Sequence, residues 1–569
     1  MNPHRHNKQI VAYYPNWQWY RRNQLVNPET ILYSNYTVIN YAFFRPLANG
    51  SIQSTDTWAD EALLLGPMIW YPEEMHDQTK SLPYLCHQNG VKLLPSIGGW
   101  NDSVNFPQIA ASSSLRQIFV ESCISLINTY QFDGIDIDWE YPGFAANNGS
   151  PADMQNFTLL LTDLRVALDD LELITNQEYI LSACFGSSQS NMQYIEWDAV
   201  TNLVDMINLM SYDFHGPWDS LSNHHTPLYA PSQGDPLWCL DGAFNLLTQN
   251  YQVPSHKINI GMAFYGKALS NCSDLYATHT GYDNVHFSAD AGQPHYYTIL
   301  NELSNFEYHW DDQVKCPYLT SQSLNCFITY DNETSIEYKV QYVNAHNVLG
   351  VIIWELTGDY TETSSGSGII DQTPLAELIN NTFNQNLIPY NLRAVYTGTS
   401  IVLNWDFASD NPNSQFKVYR NNLCLTENAI QAMTYNDLDI SAGNTYTYYV
   451  TYINGNTESQ ASDTVSVTVL SAEEVSQNDD CQIKTYPNPV VTELNIICNS
   501  KIHHPISLDI YNIKGQKVKH LYQGDFSHYG QTLSWDKTDD SGCKVANGIY
   551  MIRFQQGNKT ISKKILLLK

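Results

Sequence analysis

Eight short apolar runs alternate along the chain with longer stretches that carry a helical pattern. The runs are Ile10–Tyr14, Val38–Phe44, Lys92–Ile97, Gly134–Glu140, Tyr179–Phe185, Met206–Tyr212, Lys257–Ala263 and Gly350–Trp354. Between them, stretches such as Leu115–Thr129 and Met154–Leu171 repeat apolar residues every three or four positions. Strands that alternate with helices predict parallel βαβ units, and eight such units predict a (β/α)8 barrel, also called a TIM barrel.

One interval is too long for a simple crossover. The seventh and eighth runs are separated by 86 residues, whereas a crossover helix with its loops needs only a dozen or more residues. We therefore expect a small α+β unit inserted at about Leu269–Asn325.

Two all-β units are predicted after the barrel. The helical pattern stops at about Leu387, and short alternating strands such as Ser400–Trp405 follow between Tyr390 and Leu470, as in a β-sandwich. Residues 471–480 are polar, carry four acids and predict a linker. The last segment, Cys481–Lys569, again reads as short strands with glycine-containing turns.

The charge distribution restricts the ligands. The net charge is −30, which argues against a nucleic-acid binder that tracks phosphates and against a basic membrane-surface protein. Charged residues make up 15% of the chain while tyrosine alone accounts for 39 residues, a composition that suits a neutral, ring-containing ligand such as a glycan. Residues 1–480 carry a net −36 and residues 481–569 a net +6, so the tail is predicted to be a separate module.

Cysteine spacing, the start of the chain and hydropathy give further expectations. None of the eleven cysteines has the spacing of a structural zinc site. Cys316 and Cys326 could close a short loop, and Cys481 and Cys498 could bridge the tail. The first nine residues are polar and a strand follows at once, so we expect no secretory signal within them. No apolar stretch reaches the 18 or so residues of a membrane span.

The segment Asp133–Pro142 (DGIDIDWEYP) carries the chemistry. Because strand side chains alternate between faces, Asp136, Asp138 and Glu140 are predicted to line the barrel interior while their apolar neighbours pack on the helices. Carboxyls stacked in a buried strand repel one another, so at least one should hold a proton near neutral pH, as a general acid requires. A divalent-cation site and a solvated acidic edge are the alternatives. Glu140 comes last on the strand, where barrel active sites open, and is the predicted acid.

These residues resemble the DGxDxDWEYP signature of glycoside hydrolase family 18, the chitinases and their lectin relatives. Further pieces agree in order and strand: Ser96–Trp100 (SIGGW), Met210–Asp213 (MSYD), Gly261–Lys267 (GMAFYGK) and Trp354. The resemblance covers residues 8–385 and implies a catalytic barrel. It also implies that the 269–325 region is the insertion domain of one chitinase subfamily.

The resemblance implies a retaining mechanism in which the substrate assists, an exception to the usual scheme of two carboxylates. Glu140 would protonate the glycosidic oxygen, and the 2-acetamido group of the sugar would attack C1 and form an oxazolinium ion. Asp138 would orient the acetamido nitrogen, with Asp136 as its partner deeper in the barrel. Tyr212 would hydrogen-bond to the acetamido oxygen. No cofactor or metal is expected.

Substrate-binding residues are also carried over from the family. Met210 and Asp213 would shape the pocket and Trp354 would form its floor. Trp100 and Trp218 would stack sugars beyond the cleavage point, and Tyr14 and Phe44 would form a wall. Lys267 stands where the family usually has arginine, so a planar hydrogen-bonding fork is lost there. Core packing is the alternative for each lone aromatic residue, and also for Trp17, Trp19, Trp238 and Trp310, which could extend the cleft.

The appended units carry resemblances of their own. Residues 390–470 resemble a fibronectin type III domain through Leu403–Trp405, Phe416–Arg420 and a Tyr-rich strand. The tail resembles the C-terminal sorting domain of the type IX secretion system of Bacteroidota-type bacteria, through Tyr486–Pro489 (YPNP), Leu508–Lys519 and Gly548–Phe554. This implies the type IX machinery as a partner and secretion or display at the cell surface. Export would need a signal peptide, so a trimmed start is expected.

Three functions from different classes remain at this point. The first is a monomeric, secreted chitinase acting on chitin and chito-oligosaccharides. The second is an endo-β-N-acetylglucosaminidase acting on N-glycans, which shares the acidic motif. The third is a non-catalytic chitin-binding lectin, which the intact Glu140 opposes.

Overall fold

The computed structural model describes residue 6 and residues 8–567, with internal gaps at 72–74, 386–387, 408–413, 427, 455–456, 470–480, 487–489, 491–493, 501–505, 513–515, 525–530 and 557–558. The expected linker at 471–480 and the prolines of Tyr486–Pro489 lie outside the described residues.

The first unit is a closed parallel barrel, as predicted. Its strands are β1 (Gln9–Pro15), β2 (Val38–Pro46), β3 (Ile52–Ser54), β4 (Met68–Ile69), β5 (Met75–His76), β6 (Lys92–Gly98), β7 (Gly134–Asp138), β8 (Ile180–Gly186), β9 (Met206–Met210), β10 (Ile258–Ala263), β11 (Lys267–Ser270), β12 (Glu307–Asp311), β13 (Cys316–Ser321), β14 (Cys326–Thr329) and β15 (Gly350–Trp354). The barrel order is β1-β2-β6-β7-β8-β9-β10-β15, and β15 pairs with β1 to close it. The eight apolar runs are these eight strands, since a parallel strand is buried on both faces.

Helices surround the barrel and pack on its outer face. They are α1 (Thr57–Asp60), α2 (Leu82–Gln88), α3 (Phe106–Ala111), α4 (Ser113–Tyr130), α5 (Asp153–Thr175), α6 (Gln189–Met192), α7 (Trp197–Leu203), α8 (Leu240–Asn245), α9 (Tyr296–Glu302), α10 (Glu333–Ala345) and α11 (Pro374–Gln385). The apolar residues of α4 and α5 that recur at helical spacing are the ones buried against the strands. A 3-10 segment, Asn16–Gln24, follows β1 at the catalytic end of the barrel.

The long interval between the last two barrel strands holds an antiparallel sheet and a helix. The sheet order is β11-β14-β13-β12, and α9 precedes β12 in the chain. Cys316 and Cys326 begin neighbouring strands of this sheet, but both are free thiols, so the expected loop closure is wrong. The side chains of Cys481 and Cys498 lie outside the described residues.

The second unit is a β-sandwich with a core of its own. Its strands are β16 (Tyr390–Tyr396), β17 (Ile401–Asp406), β18 (Gln415–Arg420), β19 (Leu423–Cys424), β20 (Thr434–Asp437), β21 (Thr445–Asn454), β22 (Thr457–Glu458) and β23 (Val465–Thr468). One sheet is β16-β17-β20, and the other is β19-β18-β21-β22 with β23 also on β21. Trp405 is buried between the sheets and contacts Phe416, so it is a core residue.

The tail is also an all-β unit. Its strands are β24 (Cys481–Tyr486), β25 (Leu494–Ser500), β26 (Ile506–Asn512), β27 (Lys517–Gly524), β28 (Gln531–Trp535), β29 (Gly548–Gln556) and β30 (Lys559–Leu567), in sheets of order β24-β25-β28 and β27-β26-β29-β30. A third buried cluster, around Leu508 and Phe554, fills it. Among the described residues, no helix combines the length and apolarity that a membrane crossing needs.

Candidate active site

The acidic segment lies at the carboxyl end of β7. Asp136 and Asp138 point into the barrel and are almost fully buried, while Ile135, Ile137 and Trp139 pack on the helices. The strand ends at Asp138, so Glu140 lies two residues beyond it and not within the strand as the sequence predicted. The Ser103 hydroxyl accepts the Glu140 N–H at 2.8 Å, and Asn147 donates to the Glu140 carbonyl at 2.8 Å.

Asp136 is the deepest of the three acids and is held by four donors. The Tyr13 hydroxyl donates at 2.9 Å and the Ser96 hydroxyl at 2.8 Å, both to Oδ2. Ser182 and Asn208 donate to Oδ1. Burial raises the pKa of Asp136, but the four donors oppose that rise because they favour the charged carboxylate.

Asp138 and Glu140 lack such a set of donors. Asp138 Oδ1 is buried with no hydrogen-bond partner among the described residues. Burial, together with the negative charges of Glu140 and Asp136, raises the pKa of Asp138 well above its usual range. Burial also raises the pKa of Glu140 to about 7, against a hydrogen bond from Tyr141 and with the help of Asp213. A proton is therefore retained on this pair near neutral pH.

Glycines at the end of β6 let neighbouring groups approach this carboxyl pair. Gly98 has a φ of 113°, and a Cβ there would lie 2.3 Å from the Asp138 carbonyl oxygen. Gly99 has a φ of 82° and lies against the Phe43 ring. A side chain at either position would be strained, which explains why SIGGW carries two glycines.

The acids open into a cleft of about 1030 Å³. Asp138 and Glu140 line it, whereas Asp136 lies beneath its floor. Among the residues predicted from the family, the cleft is lined by Tyr212, Met210, Asp213, Trp354, Trp100, Trp218 and Lys267. Trp17 and Trp238 also line it, while Trp19 packs on the core and Trp310 lies on β12 of the inserted sheet.

Two predicted wall residues, Tyr14 and Phe44, are wrong. Both are buried on the outer face of the barrel wall, and the Tyr14 hydroxyl donates to the Val26 carbonyl at 2.9 Å. Their neighbours Tyr13 and Phe43 line the cleft instead. Because strand residues alternate between faces, a shift of one position moves a side chain from the cleft to the helices.

Aromatic rings surround the inner cleft. The Trp354 ring lies 5.2 Å from Tyr13 and stacks on Phe43 at 5.9 Å between centroids. On the opposite wall Trp100 packs against Phe144 at 5.8 Å, with 56% of its surface exposed. Flat, apolar walls of this kind suit the faces of pyranose rings.

Asp213 forms the charged corner of the cleft. Lys267 Nζ lies 2.9 Å from its carboxylate, His225 Nδ1 lies 3.6 Å away, and the Tyr265 hydroxyl donates to it. Burial raises the pKa of Asp213, but Lys267, His225 and Tyr265 outweigh that effect and hold the pKa well below its usual range. Lys267 also lies over the Trp218 ring at 5.0 Å from its centroid, so a lysine satisfies this corner without the planar fork of arginine.

Several site residues were not found from the sequence. Tyr13, Ser182 and Asn208 reach Asp136 from three different strands, and Tyr282 and Gln293 reach Lys267 from the inserted region at 3.2 Å each. Strand alternation was the signal available for Tyr13, whose side chain shares a face with Val11. Within the described part of the chain, no group of three or more His, Cys, Asp or Glu residues is arranged to hold a metal ion.

Three family models match the chain. Residues 9–359 match the glycosyl hydrolases family 18, and residues 484–568 match the secretion system C-terminal sorting domain. Residues 388–468 match the rhamnogalacturonan I lyases beta-sheet domain. The sandwich predicted there is thus confirmed, although the matching model is not that of fibronectin type III.

Known relatives extend over much of the chain. Chitinase A1 of Niallia circulans is 28% identical over 560 residues, which cover 90% of this chain and 78% of that protein. The structure of the Ostrinia furnacalis Group II chitinase catalytic domain 2 is 26% identical, with a TM-score of 0.59, and covers 67% of this chain and 97% of that one. Chitinase ChiA74 from Bacillus thuringiensis, at 22% identity and a TM-score of 0.60, covers 98% of this chain and 100% of that one and supports the fold alone.

Proposed function

Because the chain belongs to glycosyl hydrolase family 18, we propose that it is a secreted chitinase. It hydrolyses polymers of β-1,4-linked N-acetylglucosamine and retains the anomeric configuration. The observation that carries the proposal is the pair Asp138 and Glu140, which line the cleft and whose pKa values are raised by burial. The relatives named chitinase support the choice of substrate.

Glu140 is the general acid. With a pKa of about 7 it carries a proton in neutral solution, and it gives that proton to the departing glycosidic oxygen as the C1–O bond breaks. The carbonyl oxygen of the 2-acetamido group attacks C1 from the other face of the sugar. The product of this step is an oxazolinium ion, so no enzyme carboxylate forms a covalent bond.

Asp138 stabilises the positive charge that develops on the acetamido nitrogen. Its unpartnered Oδ1 is available to accept the N–H of that group. Tyr212 lines the same cleft, where its hydroxyl donates to the acetamido oxygen before attack. Trp354 lies beneath the sugar ring, in contact with Tyr13 and Phe43.

Water completes the reaction. The Glu140 carboxylate takes a proton from a water molecule, which attacks C1 from the face that the leaving group occupied. The oxazoline ring opens and Glu140 regains its proton. Two inversions at C1 give net retention, and both groups return to their starting state.

The test is product release from the N-acetylglucosamine hexamer and from colloidal chitin, comparing wild type with Glu140→Gln. We expect short oligomers from the wild type and a loss of at least about 10²–10⁴-fold in the variant, the range credited to general acid catalysis. Glu121→Gln, on the exposed side of α4 where it pairs with Gln117, is the matched control and should retain full activity.

The other functions predict different outcomes of the same experiment. If wild type leaves both chitin substrates uncut but cleaves high-mannose N-glycans, the enzyme is an endo-β-N-acetylglucosaminidase. Binding to chitin with no turnover of any of these glycans would identify a lectin.

A further inference from the structure

Exposed tryptophan side chains are concentrated around the cleft. Trp17, Trp100 and Trp218 line it with 42%, 56% and 57% of their surfaces exposed. Trp58 is exposed to a greater extent, 63%, yet it does not line the cleft. An exposed indole leaves a large apolar surface in water, so its place next to a ligand-binding cleft points to a binding role.

Trp58 lies on a short segment that is fastened to the cleft rim. Asp56 caps helix α1 by accepting the Ala59 N–H at 3.0 Å, which holds Trp58 in the first turn of that helix. The other oxygen of Asp56 accepts the Tyr20 hydroxyl at 2.9 Å. Tyr20 belongs to the segment after β1, and 48% of its surface is exposed. We call Tyr20, Asp56 and Trp58 the rim site.

A second set of contacts holds these two segments together. Asn16 Nδ2 donates to Thr55 Oγ1 at 3.0 Å and to Asp60 Oδ1 at 2.9 Å. Asn16 and Asp60 are both buried. The rim site therefore rests on a rigid base, so little side-chain entropy is lost when a ligand binds there.

The rim site is continuous with the catalytic centre. The Phe43 ring stacks on Trp354 at 5.9 Å and lies 6.1 Å from Trp17. Trp17, Thr55 and Asp56 all line the cleft. Apolar rings thus extend from the floor, past Trp17, to the edge where Asp56 carries the rim site.

We propose that the rim site is an outer sugar-binding position, which holds a polymer of β-1,4-linked N-acetylglucosamine where it enters or leaves the cleft. The Trp58 indole packs on the apolar face of one sugar ring. The Asp56 carboxylate, whose two known contacts leave further lone pairs, accepts hydrogen bonds from the sugar hydroxyls. The inference rests on the proposed function, because the occupant is the same polymer that the cleft cuts.

Length of substrate is the variable that tests the proposal. Trp58→Ala should bind colloidal chitin about fivefold more weakly, the loss expected when about 1 kcal/mol of apolar contact is removed. Binding is measured in the Glu140→Gln background, so that no substrate is consumed. The kcat/KM on a fluorogenic glycoside of the N-acetylglucosamine dimer, which is too short to reach the rim, should stay within twofold of wild type. Trp58→Phe should recover part of the binding.

Tyr84→Ala is the matched control. Tyr84 is an aromatic residue of similar exposure, 40%, on helix α2 outside the cleft. This variant should match wild type on both substrates.

Two results would overturn the rim site. One is unchanged chitin binding by Trp58→Ala, and the other is an equal loss on the dimer glycoside, which would indicate damage to the catalytic centre. Failure of the proposed function has a different signature, since the wild type would then cut neither substrate.

Discussion

At the scale of single residues, Asp136 and Asp138 are buried to similar depths but differ in their partners. Asp136 accepts hydrogen bonds from four side chains, whereas Asp138 has an unpartnered buried oxygen. Donors favour the charged form of a carboxyl and desolvation favours the neutral form. The inner acid is therefore stabilised as an anion, and the proton of this group of acids lies on the outer pair that faces the cleft.

The pH dependence of the reaction should report the environment of Glu140. A general acid must be protonated, and its fraction protonated falls as the pH rises through its pKa. Since that pKa is raised to about 7, kcat/KM on the hexamer should fall about tenfold per pH unit above about 8. An alkaline limb near the ordinary pKa of about 4.3 for a glutamate would contradict this assignment. Thermal unfolding recorded at each pH is the control for loss of the fold.

Tyr13→Phe and Tyr14→Phe form a matched pair of variants on one strand. The Tyr13 hydroxyl donates to Asp136, and the Tyr14 hydroxyl donates to a backbone carbonyl on the helix side. Loss of a hydrogen bond to a charged group costs about 1.5–3 kcal/mol, so we expect Tyr13→Phe to lower kcat about 10- to 100-fold. Tyr14→Phe should leave kcat unchanged and lower the free energy of unfolding by about 1 kcal/mol. The reverse order of effects on kcat would place the wrong tyrosine in the cleft.

At the scale of elements, the inserted sheet is joined to the barrel by its first residue. Lys267 begins β11 and its side chain is 1% exposed, yet it pairs with Asp213, three residues after the end of β9. It also contacts Tyr282 and Gln293 of the inserted region. A cation at this one position thus fixes two elements and the Trp218 ring relative to each other.

Lys267→Met should separate these elements. Removal of one partner from a buried ion pair typically costs about 3–5 kcal/mol. The Asp213 side chain keeps 43% of its surface exposed to the cleft, so we expect a smaller loss of about 1–3 kcal/mol in the free energy of unfolding. Denaturant titration measures it. Lys267→Arg keeps the charge and should retain most of the stability, and equal losses in both variants would show that the shape of lysine matters more than its charge.

At the scale of the whole molecule, the three units have separate hydrophobic cores. The barrel core, the sandwich core around Trp405 and the tail core around Trp535 share no residue. The charge is divided in the same way, with a net −36 in residues 1–480 and a net +6 in the tail. A unit with its own core folds without the others, so the tail is separable from the enzyme.

Removal of residues 481–569 should separate export from catalysis. The shortened enzyme should keep kcat/KM on the hexamer within about twofold, because the cleft is built from barrel and insertion residues. In a bacterium with type IX secretion it should remain in the cells, whereas the full chain should reach the surface or the medium. Fractionation with an activity assay measures both quantities. Export of the shortened enzyme at the level of the full chain would contradict the role of the tail.

The sequence by itself determined the eight barrel strands, the two β units and the identity of the acidic segment. These features are local, because strand runs, helix spacing and the alternation in Asp133–Pro142 depend on neighbouring residues alone. Lys267 could also be recognised as a departure from the family motif, since the motif is continuous in the chain.

Only the tertiary structure decided which neighbours face the cleft and what holds the acids. Tyr13 and Tyr14 are both aromatic, so the pattern does not choose between them, and barrel closure places one inside and one outside. The donors Ser182 and Asn208 lie 46 and 72 residues from Asp136, and no local pattern joins them to it. The rim site likewise depends on a contact between Tyr20 and Asp56, 36 residues apart. Such pairings are set by the packing of distant segments, which periodicity does not encode.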